Sequence, residues 1–139
     1  MIQALCGRKA ICMVGAWGLY PWFEEDGVEQ IEPRYREAFR NLQPYGKVFF
    51  CVGERDGYIE LQYHHQRFWV KPALFQIVQS PAYTFGDVVR MRKNPQVTGS
   101  ICGIGWHYKR GREMYVVEVN GKKQSSRYFR EDFIEVERA

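Results

Sequence analysis

Apolar and polar residues alternate with a period of two along most of the chain after residue 46. Such alternation is typical of strands that bury one face, and the Gly, Asn and Asp residues between the runs are typical of turns. The pattern predicts strands at residues 47–53, 58–63, 67–70, 87–92, 98–107, 113–119, 122–129 and 133–136. We therefore expect a mainly β protein built from short antiparallel strands.

A single segment has the period of a helix instead. Its apolar side chains recur at spacings of three and four residues, at Ile31, Tyr35, Phe39 and Leu42. Pro33 suits the first helical position, where its missing amide hydrogen costs nothing. The following Gln-Pro-Tyr-Gly, residues 43–46, ends the pattern. The sequence thus predicts one helix at about residues 31–42, and the fold class is mainly β, or α+β with one helix.

The stretch at residues 58–78 has the same order of features as the stretch at residues 115–136. Each has a strand, a polar turn, a strand that ends in adjacent aromatic residues, a short link with a Phe, and a final strand. Tandem small barrels would produce this similarity, and chance likeness between two β-hairpins would produce it equally well. We divide the chain into an N-terminal β unit with the helix, residues 1–80, and a C-terminal unit, residues 81–139.

The C-terminal unit contains four segments in a characteristic order. FGDVVRMRK is an opening strand, TGSICGIGWHYKRG a long bent second strand, REMYVVEVNGKKQSSRYF a hairpin, and REDFIEV a helical turn before a closing strand. Over residues 85–136 this pattern resembles the small SH3-like barrels of Tudor and KOW modules. The resemblance implies an SH3-like barrel packed with the N-terminal β unit. Members of this class generally bind proteins or nucleic acids and seldom catalyse reactions, so it also implies a binding module.

The composition allows a self-sufficient fold with an uneven charge. The 139 residues are 45 % apolar and 16 % aromatic, which is enough to form a core without disulfide bonds or a cofactor. Residues 1–79 carry nine Lys or Arg and nine Asp or Glu, whereas residues 80–139 carry eleven and seven. The net charge of +4 therefore belongs to the second half, which points to an anionic partner.

No segment is predicted to cross a membrane. The uncharged and largely apolar run at residues 10–23 is shorter than the roughly 20 residues of a span and is broken by glycines and a proline. Arg8 and Lys9 stand inside the first apolar stretch rather than ahead of it, which is the wrong order for a secretory signal. We expect a cytoplasmic protein.

The cysteines do not form a metal-binding pattern. There are four of them, without a Cys-x-x-Cys pair, at Cys6, Cys12, Cys51 and Cys102. We expect buried thiols that act as small apolar groups. The alternative is a zinc site that also uses His64, His65 or His107, although no pair has the short spacing usual for structural zinc.

Other residues with catalytic potential are also scattered. His64 and His65 are consecutive in a predicted strand, so their rings should point to opposite faces. The acidic groups at residues 24–26 and 54–60 are expected to be solvated loops rather than an acid–base pair or a divalent-metal site. The chain has no Gly-rich phosphate loop and no nucleophile elbow. We therefore predict no catalytic residue, no metal and no cofactor, and a protein that is not an enzyme.

The hairpin at residues 103–123, GIGWHYKRGREMYVVEVNGKK, carries most of the candidate chemistry. Alternation places Cys102, Ile104 and Trp106 on one face, which we expect to be the core, with an exposed stacking role for Trp106 as the alternative. The other face then carries Gly103, Gly105 and His107. Two outward glycines indicate either sharp curvature or the close approach of another group.

Basic residues divide between the two ends of this hairpin, about 25 Å apart at the usual rise per strand residue. The primary basic patch combines cations suited to phosphates with rings suited to bases, and comprises His107, Tyr108, Lys109, Arg110, Arg112, Arg127 and Arg130. The secondary basic patch comprises Arg92, Lys93, Lys122 and Lys123. The alternative for both is that charged hairpin tips keep sheet edges soluble and unpaired.

An aromatic segment broken by Gly and Pro, residues 15–27, contains Trp17, Tyr20, Trp22 and Phe23. It either folds over the first sheet as a lid or forms an exposed loop that docks on a protein. Our leading hypothesis is a small non-catalytic protein that binds nucleic acid or a nucleoprotein complex through the primary basic patch. The alternative is a protein-interaction module that uses the aromatic segment, similar in size to inhibitors and adaptors encoded by bacterial phages and mobile elements.

Overall fold

The computed structural model of the chain describes residues 13–139, which form two five-stranded antiparallel sheets. The first sheet comprises β1 (Trp17–Leu19), β2 (Val48–Arg55), β3 (Tyr58–Tyr63), β4 (Gln66–Val70) and β5 (Gln76–Val78). The second comprises β6 (Val88–Met91), β7 (Thr98–His107), β8 (Arg112–Val119), β9 (Lys122–Lys123) and β10 (Phe133–Glu137). The prediction of a mainly β protein is confirmed.

The helix α1 spans Arg36–Leu42 and follows a 3-10 turn at Pro33–Tyr35. It begins later than predicted because Ile31 pairs with Val70 in an isolated β-bridge. Gln43 ends the helix in the left-handed conformation, with φ of 58°. No helix in the described part of the chain is long and apolar enough to span a membrane.

The two sheets have the same strand order. The first runs β4-β3-β2-β1-β5 and the second β9-β8-β7-β6-β10, so in each the last strand pairs with the first. A 3-10 turn followed directly by a buried Phe leads into each last strand, with Pro72–Leu74 before Phe75 and Arg130–Asp132 before Phe133. The similarity between residues 58–78 and 115–136 is therefore a similarity of structure. Both sheets are open across residues 13–139, and the likeness to an SH3-like barrel stays a prediction.

Two apolar cores lie one against each sheet and meet at their boundary. The first contains Tyr20, Phe39, Phe49, Leu61 and Phe68, and the second contains Val89, Ile101, Ile104, Tyr115 and Phe133, all of them at most 4 % exposed. Leu19 of β1 and Val48 of β2 belong to the second core although their strands lie in the first sheet. The first sheet thus supplies part of the packing of the second.

A β-bulge changes which side chains of β7 face the core. The pairing with β8 shifts between Ile101 and Gly103, so Cys102 is the extra residue. Ile101 and Ile104 are both buried, and Trp106 packs partly buried against the same core as expected. The prediction that Cys102 shares the face of Ile104 was wrong, because strict alternation fails at a bulge. The second strand of the first sheet, β2, has the same shift, between Cys51 and Gly53.

The return strand of the second hairpin is much shorter than predicted. Residues 122–129 were expected to be continuous, but β9 contains only Lys122 and Lys123. Tyr128 pairs again with Tyr115 through an isolated bridge. Arg127 therefore lies in a loop, where its position is not fixed by the β ladder.

The aromatic segment folds mainly as a lid. Tyr20 is fully buried and its hydroxyl donates to the Lys71 carbonyl at 2.7 Å. Trp22 is 3 % exposed and its indole N–H donates to the Gly27 carbonyl at 2.9 Å. The hypothesis of an exposed docking loop is wrong for these two residues because their rings fill the first core. Phe23 alone among the predicted anchors is strongly exposed.

His64 and His65 lie in the turn between β3 and β4, not in a strand. His64 adopts φ of 56°, and the two rings stack with their centres 3.9 Å apart. The prediction that the rings point to opposite faces was wrong, since it assumed extended backbone at both positions. The His64 ring also stacks on Phe85 at 4.8 Å.

Candidate nucleic-acid interface

The loop before β2 approaches β7 at backbone distance. The Trp106 amide donates to the Gly46 carbonyl at 2.8 Å, and Lys47 forms a β-bridge with Gly105. A Cβ atom added to Gly105 would lie 3.1 Å from that carbonyl oxygen, which is backbone and cannot easily move. Gly105 is therefore needed for the approach of the first unit.

Gly103, two residues before Gly105 on β7, has a related role. The Tyr63 hydroxyl accepts a hydrogen bond from the Ile104 amide at 3.1 Å, and a Cβ on Gly103 would lie 3.4 Å from that hydroxyl and 3.0 Å from the Val116 side chain. The two outward glycines of β7 thus mark the close approach of another group, the second of the two explanations considered for them. That group is the N-terminal unit of the same chain.

A groove of about 400 Å³ opens beside these contacts, on the outer face of the second sheet. Its floor is built from β7 and β8 through Gly103, Gly105, Met114 and Val116, and its walls carry Tyr45, Lys47, Tyr63, Tyr108, Lys123 and Arg127. Three of the lining residues are basic and none is acidic. We call this site the basic groove.

The three cations of the basic groove influence one another. Partial burial, together with the charges of Lys123 and Arg127, lowers the pKa of Lys47. The Lys47 ammonium donates to the Gln43 carbonyl at 3.2 Å, and an Arg127 N–H donates to the Ser125 carbonyl at 3.0 Å. These partners are neutral, so the positive charge at the groove is not cancelled by them. Glu118 is the cross-strand neighbour of Lys123 but does not line the groove.

Three exposed aromatic rings form a column next to the basic groove. Tyr108 stacks on Tyr45 with ring centres 5.2 Å apart and planes inclined by 16°, and the centre of the tilted Phe23 ring lies 4.9 Å from that of Tyr45. Burial and the neighbouring Tyr45 hydroxyl raise the pKa of Tyr108 to about 12. We call Phe23, Tyr45 and Tyr108 the aromatic column. It joins residues that the sequence had assigned to two competing sites.

Two arginines of the primary basic patch are neutralised by carboxylates. Arg112 forms a two-pronged ion pair with Glu131 at 2.6 and 3.0 Å, which holds the pKa of that carboxyl below its ordinary value. Arg130 donates to Glu113 at 2.8 Å. Glu113 is only 4 % exposed and also accepts from the Tyr115 hydroxyl. These two guanidinium groups therefore have structural partners within the second unit.

The tip of the β7–β8 hairpin rests on one aromatic ring. The guanidinium carbons of Arg110 and Arg112 lie 4.6 and 4.8 Å from the centre of the Phe129 ring, and His107 contacts the same ring edge-on. The Arg110 amide donates to His107 Nδ1 at 3.1 Å. Lys109 and Arg110 are exposed at the tip. The primary basic patch thus separates into a hairpin tip and two residues that line the basic groove, Tyr108 and Arg127.

The secondary basic patch is also divided. Arg92 donates to the carbonyls of Glu131 and Phe133, at 2.8 and 3.3 Å, beside the last 3-10 turn. Lys123 lies instead in the basic groove. Lys93 and Lys122 are exposed. The structure therefore brings Lys123 of the secondary patch together with Tyr108 and Arg127 of the primary patch in a single site.

Sequence analysis missed half of this site. Lys47, Tyr45 and Tyr63 come from the first unit and reach the groove only because the two units pack together. The turn signal at residues 43–46 correctly marked the end of the helix, but no sequence pattern links that turn to β7. A contact between residues so far apart in the chain leaves no periodic signal.

Other candidate chemistry remains dispersed. Cys51 is buried and Cys102 is half-buried, with burial and Glu118 raising the pKa of the Cys102 thiol, while Cys6 and Cys12 lie outside the described residues. Across residues 13–139, no group of three or more His, Cys, Asp or Glu side chains is arranged to hold a metal ion. The basic groove is therefore the site whose chemistry is most distinctive.

Comparison with known proteins gives a family but no activity. A model described as "Family of unknown function (DUF6960)" matches residues 13–134. No curated protein and no solved structure gives a significant match. The matched region covers both sheets except the last three residues of β10, and every residue of the basic groove and the aromatic column. The chain therefore belongs to the DUF6960 family.

Proposed function

We propose that this protein is a binding module that contacts nucleic acid through the basic groove. The observation that supports this function is the lining of the groove, which contains Lys47, Lys123 and Arg127 without a carboxylate. Phosphate groups of a nucleic acid are neutralised by such clusters of Lys and Arg. Catalysis has no part in this proposal.

The electrostatics of the groove favour an anionic ligand. Like charges held close together repel one another, and the lowered pKa of Lys47 reflects part of that repulsion and part of its burial. A bound phosphate would offset the repulsion that Lys123 and Arg127 exert on Lys47. The same cost does not arise at Arg112 or Arg130, because each has a carboxylate partner.

The alternative function, protein docking through the aromatic segment, has less support. Tyr20 and Trp22 are core residues and are not accessible to a partner. Phe23 is exposed but its ring contacts Tyr45, which also stacks with Tyr108 at the groove. The accessible part of the aromatic segment therefore belongs to the same surface as the basic groove.

The test reverses two charges of the groove. Lys123→Glu combined with Arg127→Glu should abolish a mobility shift with nucleic acid at low salt, because two of three phosphate contacts become repulsive. Both side chains are exposed, so the fold should be kept. We leave Lys47 unchanged since its backbone bridges to β7.

The matched control is Arg34→Glu combined with Arg67→Glu. It makes the same change in net charge at exposed positions outside the groove. Retained binding in this control together with lost binding in the groove variant would support the proposal. Equal binding by wild-type protein and the groove variant, or no binding by wild-type protein, would contradict it.

A further inference from the structure

The aromatic column has the composition of a stacking platform. Phe23, Tyr45 and Tyr108 are 50 %, 47 % and 45 % exposed, and all three are among the most exposed large apolar side chains described. Their ring centres follow one another at 4.9 and 5.2 Å. Exposed aromatic rings in a row are costly in water unless they also serve contact with a ligand.

The column and the basic groove form one continuous surface. Tyr45 and Tyr108 line the groove that contains Lys47, Lys123 and Arg127. Tyr45 and Phe23 also line a second hollow of about 310 Å³, bordered by Pro44 and Arg40. A ligand that leaves the groove along the column therefore meets ring surface on its path and a further cation at the end. Arg40 is paired there with Glu24 at 2.9 Å, so it adds little net charge.

We infer that this surface binds single-stranded nucleic acid, with phosphates in the basic groove and bases against the aromatic column. The inference rests on the proposed function and specifies the class of nucleic acid. Every base has a flat face that can stack on an aromatic ring, which makes such sites tolerant of sequence. In a duplex those faces are covered by neighbouring base pairs, and only a single strand presents them. The charges alone would suit either form, so the column decides between them.

Three probes of the same length distinguish phosphate binding in the basic groove from base stacking on the aromatic column. One is a mixed-sequence single strand of roughly 12 nucleotides, within the usual site sizes for strand-binding proteins. The second is the same strand annealed to its complement, and the third is an abasic strand with the same number of phosphates. We expect the single strand to bind about tenfold more tightly than the abasic strand and more tightly than the duplex, as measured by fluorescence anisotropy at low salt.

A variant of the column tests the same idea from the protein side. Tyr108→Leu removes a stacking ring but keeps an apolar side chain, and should weaken binding of the single strand about tenfold while leaving the abasic strand unchanged. Tyr108→Phe keeps the ring and should stay within about twofold of wild type. Tyr58→Leu makes the same exchange on β3, away from the groove and the column, and serves as the control.

Each outcome bears on one of the two proposals. If none of the three probes binds, the proposed function fails and the inference fails with it. If the abasic and the base-containing strands bind equally, or if the duplex binds more tightly than the single strand, the inference is overturned while phosphate binding at the groove stands. If Tyr108→Leu weakens both strands equally, stacking by Tyr108 is excluded.

Discussion

Glu113 should contribute strongly to the stability of the second unit. It is 4 % exposed on β8, and its carboxylate accepts hydrogen bonds from the Tyr115 hydroxyl at 2.6 Å, from Arg130 at 2.8 Å and from the Ala82 amide at 3.2 Å. Ala82 lies in the segment that joins the two sheets. Glu113 therefore connects the start of β8 to that segment.

The cost of Glu113→Ala follows from these partners. The Tyr115 hydroxyl is buried and would lose its acceptor, which costs about 1–3 kcal/mol for an unsatisfied group. The Ala82 amide would keep the Tyr115 oxygen, at 3.0 Å, so it adds little. Arg130 is 43 % exposed and regains water, so its share is about 0.5 kcal/mol. With the lost packing of the side chain, we expect the free energy of unfolding to fall by about 3 kcal/mol.

Glu113→Gln should cost less, about 1 kcal/mol, because the amide oxygen can still accept from Tyr115 while the ion pair is lost. Glu118→Ala on the same strand is the control. Its side chain is exposed, so the change should stay within about 0.5 kcal/mol. Urea unfolding at neutral pH, followed by circular dichroism, measures all three variants.

Lowering the pH should reduce the contribution of Glu113 to the free energy of unfolding. Burial raises the pKa of this carboxyl, but hydrogen bonds from Tyr115 and the Ala82 amide, with the charge of Arg130, outweigh burial and lower the pKa overall. The folded state then binds the proton less tightly than the unfolded state, so the contribution is complete at neutral pH. It is lost as the pH falls from the ordinary carboxyl pKa through the lower folded value. The stability difference between wild type and Glu113→Gln should shrink over that range.

Two results would refute this reasoning. One is a loss for Glu113→Ala no larger than for Glu118→Ala, which would mean that the hydrogen-bonded carboxylate adds nothing beyond its desolvation cost. The other is a difference between wild type and Glu113→Gln that grows in acid, which would mean that the folded pKa is raised.

Two further predictions concern the groove and its support. If three cations bind a single strand, a plot of log affinity against log salt concentration should have a slope of about −2. The affinity should then fall about 20-fold between roughly 50 and 200 mM salt. Arg127→Ala removes one of the three cations and should reduce the magnitude of the slope by about 0.7. A slope that is unchanged in Arg127→Ala would contradict its contact with phosphate. Gly105→Ala should lower the free energy of unfolding by about 1–3 kcal/mol because its Cβ would press on the Gly46 carbonyl, whereas Gly53→Ala, with its nearest neighbour at 3.4 Å, should cost less. If thermal or urea unfolding shows equal losses of unfolding free energy for Gly105→Ala and Gly53→Ala, the Gly46 carbonyl does not exclude a side chain at position 105.

Local patterns predicted the elements well because each has its own period. The strands at residues 58–63 and 98–107 begin and end as expected, since turn residues bound both. The helix was recognised from its apolar spacing, but its start was misplaced because Ile31 pairs with Val70, a partner distant in the chain. Tertiary contacts therefore set the boundaries that local preference leaves undefined.

The candidate site was only partly predictable for a related reason. Alternation of side chains fails where a bulge inserts a residue, and Cys102 accordingly faces away from Ile104. The loop at residues 124–127 interrupts the expected ladder, so Arg127 reaches Lys123 rather than staying with the hairpin tip. Charge counts located the basic half of the chain but could not tell which arginines, such as Arg130, already have a carboxylate partner.

The matching strand orders of the two sheets have a consequence for the origin of the protein. Duplication of a gene segment that encodes one five-stranded unit, followed by divergence of the copies, would produce this architecture. Both units contain a bulge directly before a glycine, at Gly53 and Gly103, but only the second glycine lies against the other unit. The loop of one unit and the strands of the other form the groove together. Neither unit contains this site by itself, so the groove exists only where the two are joined.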